Sequence, residues 1–494
     1  MAPLVYWQLI QLGFRVAQSI KMLVVDMRQS RAIVKTALSG EATHVVSRHN
    51  RVAIGKALRD KIPRKQHVRW KEAKDRPNPI DILRKSDATR MKELLPIRYG
   101  RMLQSPFFFY RGAAGVMAAD LAQMPNTDLR VQACGDCHLM NFGGFATPER
   151  NVIFDINDFD ETLPAPWEWD VKRLAVSFAV AARSLGLSDG KARDCAVTSA
   201  RSYRERMREF SRMDPLRAWY MHITVNDFIE ALPKAMRKRV SSHIENSASR
   251  SSSEHDLPKL AGTVGGQIRI TDHPPLIFHP EASRASEFHH ALEQIFQAYR
   301  KTLSDDRRML LDRYRVIDAA VKVVGVGSVG LRCWIALLMS EENDPLFLQF
   351  KEAVESVLEP YAGKSAYTHH GQRVVMGQHL MQPVSDIFLG WVTAPNGRHF
   401  YARQLHDAKI KPMVETFDAE MLDVYARACG WALARGHSKI SEISATISGY
   451  LGSSSDEFDE AMGKFALAYA DQVERDFAGL KAAARKGEVP VIQE

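Results

Sequence analysis

Two short acidic clusters hold the residues best suited to chemistry. The first is Gly135-Asp136-Cys137-His138-Leu139-Met140-Asn141. The second is Phe154-Asp155-Ile156-Asn157-Asp158-Phe159-Asp160-Glu161. Each sits where an apolar run ends, so their side chains could converge. Charged groups crowded at strand ends carry desolvation and repulsion penalties, and a cation relieves both. Carboxylate and amide oxygens suit a hard ion such as Mg²⁺, which takes few protein ligands and completes its shell with substrate phosphates. Asn141, Asp158 and Asp155 are the candidate metal ligands, and Asp136 with His138 the candidate catalytic pair. A third cluster, Gly325-Val326-Gly327-Ser328-Val329-Gly330, follows the apolar run 321–324. Glycines at such a turn let backbone amides approach phosphate oxygens. Gly325, Gly327, Ser328, Gly330 and Lys351 are therefore the candidate cofactor-binding residues, with Glu355 as the carboxylate that would hold Lys351.

The spacings have a mechanical precedent. In protein kinases a catalytic Asp precedes a metal-binding Asn by five residues, and a second metal-binding Asp follows a short hairpin. Asp136 and Asn141 are five apart, and Asp158-Phe159-Asp160 begins 17 residues after Asn141. The plain alternative is an Asx-rich turn with capping roles. Two mechanisms compete for the glycines. A Rossmann unit would open a helix and need an acidic residue about 20 positions on, for which Glu342 or Asp344 could serve. A kinase hairpin would be followed by a strand bearing a Lys. Residues 331–338, the turn Glu342-Asn343-Asp344-Pro345, and the run 346–350 before Lys351 fit the hairpin better. Cys134-Gly135-Asp136-Cys137-His138 also spells a haem-attachment motif. No second axial ligand stands out, and residues 139–144 make a poor helix for a redox dithiol, so these cysteines read as incidental.

The elements that must position these groups can be outlined. Residues 1–95 read as a basic, mainly helical extension, with Leu9, Leu12, Val16 and Ile20 at helical spacing. Residues 96–240 read as an αβ unit: a helix over 110–124, strands at 129–133 and 151–156 with a loop from 134 to 145 between them, and a long helix after Pro166. Residues 241–257 are Ser-rich and read as a linker or loop. A helical connector is expected over 258–314. Residues 315–412 read as a small, largely antiparallel sheet, with strand-like runs at 321–324, 333–338, 346–350, 373–376 and 399–404. Residues 413–494 return to helical periodicity and are expected to pack on the αβ unit.

Length and composition agree with a folded, multi-part chain. The 494 residues are 45% hydrophobic and 25% charged, which excludes whole-chain disorder and collagen. No run approaches the ~20 apolar residues of a spanning helix. Gln8, Gln11 and Arg15 interrupt any signal-peptide core, so a cytoplasmic location is expected. The net charge of +9 fits an anionic small ligand. The Lys- and Arg-rich segment 47–76 has few interleaved aromatics, so it reads as a solvated helical face and not a nucleic-acid motif. Five scattered cysteines make no disulfide framework.

Taken together, the motifs resemble the bacterial family called domain of unknown function 2252, over roughly residues 55–485. The residues concerned are Pro96-Ile97-Arg98-Tyr99-Gly100-Arg101-Met102, Ser105-Pro106-Phe107-Phe108-Phe109-Tyr110-Arg111-Gly112, both acidic clusters, Trp169-Asp170-Val171-Lys172-Arg173-Leu174 and the glycine cluster. The resemblance implies kinship with protein-kinase-like and aminoglycoside-phosphotransferase-like folds. That would make the chain an α+β, two-lobe fold with ATP and Mg²⁺ between the lobes and γ-phosphoryl transfer to an unknown hydroxyl or amine acceptor. It implies Asp136 as base, Asn141 and Asp158 on Mg²⁺ with Asp155 as alternate, and Asp170 as the buried brace of the catalytic loop. Two features depart from the relatives. Cys134 stands where they have His, and the glycine cluster and Lys351 follow Asp136 by about 200 residues, so the lobes would be circularly permuted. The alternatives are a catalytically silent nucleotide-binding or interaction module and a dinucleotide-binding oxidoreductase.

Overall fold

A computed structural model describes residues 46–249, 253–264, 266–279, 285–405, 410–439 and 442–492. The expected amphipathic helix around Leu9 to Ile20 lies outside them. Residues 51–494 form one compact unit, mixed in helix and sheet as an α+β chain should be.

Its N-terminal part is a series of short helices: α1 (Arg48–Lys61), α2 (Pro79–Asp87), α3 (Leu95–Met102), α4 (Pro106–Gly112) and α5 (Ala114–Ala122). The single helix expected over 110–124 is broken at Ala113, whose φ of −119° and ψ of 37° leave the helical region. Next come β1 (Arg130–Ala133), β2 (Phe142–Ala146), β3 (Val152–Ile156) and β4 (Leu163–Pro166). The first pairs antiparallel with the fourth, and the second with the third. β2 falls in the expected loop because two glycines interrupt its sequence. Those glycines let another segment come close: a Cβ on Gly143 would sit 2.6 Å from the Ile410 carbonyl oxygen, and Gly144 exchanges both backbone hydrogen bonds with Ile410.

The core of this part is α6 (Trp167–Ser184). All its residues from Trp167 to Ala182 are buried, the charged Glu168, Asp170, Lys172 and Arg173 included, so the helix is covered on every side. It packs with α7 (Asp189–Phe210). The Ser-rich tract is helical where described, over α8 (Lys234–Ser249) and α9 (Ser253–Leu260), and not a loop. β5 (Ile223–Thr224), still within the αβ unit, joins β3. The expected helical connector also contains strands: β6 (Ala261–Val264) pairs antiparallel with β7 (Gln267–Ile270). β8 (Ile277–Phe278) then precedes α10 (Ala285–Arg300).

The second sheet has six antiparallel strands, ordered β12-β13-β11-β10-β9-β8. They are β9 (Tyr314–Lys322), β10 (Cys333–Ser340), β11 (Pro345–Glu352), β12 (Gly390–Thr393) and β13 (His399–Gln404), with β8 at the edge. Both faces are covered. Ala336 and Leu338 of β10 join one apolar cluster, while Ile335, Leu337 and Met339 join another, so the strand reads as an unbroken apolar run. Residues 373–376 are not a strand but lie in α11 (His370–Met381), capped by the His369 side chain, which accepts from the Gln372 amide at 3.1 Å. After β13 the chain returns to the helical layer as α12 (Ala419–Ser438), α13 (Ile443–Leu451) and α14 (Glu457–Arg485), which pack on α6 and α7.

Candidate functional site

A cleft of about 360 Å³ collects Asp136, His138, Asn141, Asp158 and Asp160, and residues 325–328 of the glycine turn line the same space. Residues nearly 200 positions apart thus share one cavity.

The loop between β1 and β2 places Asp136. Its first turn needs glycine: Gly135 has a φ of +84°, and a Cβ there would meet the Glu161 carbonyl oxygen at 2.3 Å. Asp170 of α6 then fastens the loop. It accepts the Cys134 amide at 2.8 Å and the Gly135 amide at 3.1 Å, with His437 Nε2 3.2 Å away. Arg173, one helical turn on, donates Nε to Asp136 Oδ1 at 2.7 Å and also brings Nη2 to that oxygen. Asp136 Oδ2 is left toward His138, whose Nε2 lies 3.7 Å away. Burial raises the Asp136 pKa and outweighs the pull of Arg173 and Arg111. The same burial, with Arg111 and Arg173 near, drives His138 well below its ordinary pKa, so its ring is neutral.

The β2–β3 hairpin places the metal-ligand candidates. Its register sets Phe142 opposite Ile156, and the Asn157 amide donates to the Asn141 carbonyl at 2.8 Å. Asn141 and Asp158 therefore leave the same end of the hairpin. Asn141 Nδ2 donates to the Asp136 carbonyl at 2.7 Å, which leaves its Oδ1 for a cation. Asp158 Oδ1 accepts the Asp160 amide at 3.1 Å.

Lys351 of β11 meets these acids from the second sheet. Its ammonium is paired with Asp160 and lies 3.7 Å from Asp158 Oδ2. Tyr401 donates its hydroxyl to Asp160 Oδ1 at 2.8 Å, and Ser328 Oγ donates to Asp160 Oδ2 at 3.4 Å. Burial and then Asp160 raise the Asp158 pKa. Burial also pushes Asp160 up, but Lys351, Tyr401 and Arg403 outweigh it and hold that carboxyl below its usual value. Burial pulls the Lys351 pKa down, but the two aspartates outweigh it and raise it well above its ordinary value.

Two expected residues are placed otherwise. Asp155 is fully buried and paired with Arg435, 2.9 Å from its Oδ1, so its carboxylate is spent inside the core and not in the cleft. Glu355 lines the cleft but lies on no helix and pairs with exposed Lys364, while Lys351 takes Asp158 and Asp160 as its partners. Of the glycines, Gly325 and Gly327 line the cleft. Gly330 serves the turn itself: its φ is +91°, and a Cβ would press on Arg90 at 2.9 Å. The turn joins two antiparallel strands, with no helix for a Rossmann phosphate site.

Sequence reasoning gave no role to Arg173, Arg111, Arg90 or Glu161. The signal for Arg111 was present: it is an arginine inside an otherwise apolar and aromatic run. Burial pushes Glu161 in the cleft up to about 7, and its Oε2 accepts the Val357 amide at 2.7 Å. Cys134, Cys137 and Asp170 bring ligand atoms within 4.8 Å of one another, but burial raises both thiols and Asp170 is already bonded to the loop.

Residues 90–483 match the family described as uncharacterised proteins conserved in bacteria, DUF2252. The chain belongs to that family. The match starts later than the resemblance suggested, at Arg90, and takes in every candidate site residue of this DUF2252 chain from Asp136 to Glu355. No curated protein and no solved structure matches the chain. Among its described residues no helix is long and apolar enough to cross a membrane.

Proposed function

We propose that this DUF2252 chain is an ATP- and Mg²⁺-dependent phosphotransferase with a circularly permuted, kinase-like arrangement of two lobes. The observation that supports it most is the shared cleft: the glycine turn, Asp136, Asn141 and Asp158 line one space, and Lys351 pairs with Asp160 and lies 3.7 Å from Asp158. The turn joins two antiparallel strands and the next strand bears Lys351, which is the order of the Gly-rich hairpin and the Lys strand in protein kinases.

The donor set fits the implied groups. Asn141 Oδ1 and the Asp158 carboxylate are hard oxygen ligands of the kind Mg²⁺ takes, and backbone of the glycine turn faces the same space. Bound there, the ion would neutralise phosphate charge. Asp136 Oδ2 would receive the proton of the acceptor hydroxyl or amine as that atom bonds to the γ-phosphorus and the bond to the β,γ-bridging oxygen breaks. Arg173 holds the carboxylate in place, and neutral His138 beside it adds no competing charge. Catalysis in such a site is mostly positioning and charge neutralisation.

An Mg²⁺-dependent ATP turnover assay on wild type and Asp136→Asn tests this. Equal rates would remove Asp136 as base and favour a silent nucleotide-binding module. A thermal-shift comparison of ATP–Mg²⁺ with NAD(P) separates the oxidoreductase alternative. A ligand at 100 times its Kd stabilises by about 2.7 kcal/mol.

A further inference from the structure

The cleft has a set of cations that the phosphotransfer reading does not use. Arg90, Arg98 and Arg111 all line it. Arg98 is neutralised: its Nη1 lies 2.7 Å from Asp87 Oδ1, and Nη2 reaches Ser86 Oγ and the Gly112 carbonyl at 3.3 Å. Arg90 donates to the Val329 carbonyl, and its Nε is 3.9 Å from the Asp87 oxygen that Arg98 already holds. Arg111 is different. Its guanidinium stacks on the Phe107 and Phe108 rings, 5.7 and 5.2 Å from their centroids, and among the described residues it has no ion pair or hydrogen bond from its side chain. Its Nε, like those of Arg90 and Arg98, is buried without a hydrogen-bond partner.

An arginine side chain stays charged at any physiological pH, and a buried charge without a partner is strongly unfavourable. Burial weakens the Arg111 cation, and the carboxylates that act on it, Asp136 and Glu415, do not offset that. Placed over two rings, the guanidinium offers a planar fork of donors that matches a phosphate or carboxylate. The triphosphate already has Lys351, the glycine turn and the metal ligands. Arg111 lines the same cleft as Asp136, the group that would take the acceptor's proton, and its charge favours the Asp136 carboxylate. The cleft continues along Ile82, Leu83, Val357, Pro360 and Tyr361, which offer an apolar arm.

We propose that Arg111 is an oxyanion subsite for the acceptor, so that the acceptor is a small molecule with an apolar body and a phosphate or carboxylate of its own. The word acceptor rests on the phosphotransferase reading, whereas the anion subsite does not.

Calorimetry with phenyl phosphate as probe tests it, on the full chain, with and without saturating AMP-PNP–Mg²⁺. Wild type should bind the probe while the nucleotide analogue is bound. Arg111→Met should weaken probe binding at least tenfold and leave the analogue's Kd within twofold. Arg111→Lys, which keeps the charge but loses the fork, should fall between and guards against a folding defect in the first variant. Equal probe binding in all three proteins, or none in wild type, overturns the proposal. Loss of AMP-PNP affinity in Arg111→Met also overturns it, by assigning the residue to the nucleotide. Arg111-dependent probe binding in a protein that binds no AMP-PNP keeps the anion subsite and removes the phosphotransferase reading alone.

Discussion

Asp136 gives one oxygen to Arg173 and leaves the other to the cleft, and three predictions rest on that division. Asp136→Asn removes the proton acceptor while keeping the side chain's shape, so phosphoryl transfer should fall by about 10²–10⁴-fold. Because burial lifts the Asp136 carboxyl above its ordinary range, activity should rise with pH as this group loses its proton. Arg173 favours the carboxylate, so Arg173→Gln should raise the pKa further and move the rising limb of the pH–rate profile to higher pH. An unmoved limb would show that Arg173 does not tune the base. At this scale much was legible. The five-residue interval from Asp136 to Asn141 and the Asp-Phe-Asp run point to one site from spacing alone. The role of Asp155 was not legible, because its partner Arg435 stands 280 residues away. The failure of Glu355 has the same origin, since only the fold shows that Lys351 finds its carboxylates on the other side of the cleft.

At the scale of elements, α6 is both the spine of the core and the clamp on the catalytic loop, and it holds buried charges to do so. Glu168 accepts from the Thr127 amide at 2.7 Å, Asp170 holds the loop amides, and Lys172 sits 4.7 Å over the Phe465 ring. Burial pulls Lys172 down to about 8. The unfolded chain binds that proton up to roughly pH 10.4. Below about 8 both states are protonated and the native state bears the whole burial penalty. Between those values the native state loses its proton first, so stability should rise with pH through that window. Lys172→Met should abolish the rise and make the protein more stable at pH 7, by up to about 3 kcal/mol, as read from urea melts at pH 7 and 10. Gly135→Ala should destabilise by about 2–4 kcal/mol, because it adds both a strained φ and a Cβ against a carbonyl. Elements with one unambiguous signal were legible, among them α6 and strands β10, β11 and β13. Those overruled by tertiary context were not. The glycines of β2 are tolerated because Ile410 pairs with them, and a short Arg-Val-Val-Met run belongs to a helix because its flanks extend the helical face.

On the scale of the whole molecule, the helical layer is built from both ends of the described chain, with the six-stranded sheet contributed by the middle. The two ends are tied by Arg76, which reaches Asp120 of α5 and Asp476 of α14 at 2.8 and 2.6 Å. Breaking a buried charge group by removing one member leaves the others uncompensated, so Arg76→Met should cost about 3–5 kcal/mol in unfolding free energy. This arrangement brings Asp158 and Lys351 together across 193 positions of sequence (351 minus 158). The most direct test of the account is a double-mutant cycle on ATP–Mg²⁺ affinity with Asp158→Asn, Lys351→Met and the double variant. If both residues serve one nucleotide–metal site, their effects should be coupled by about 0.5–3 kcal/mol. Strictly additive losses, or a wild-type chain that binds no ATP–Mg²⁺, would contradict it.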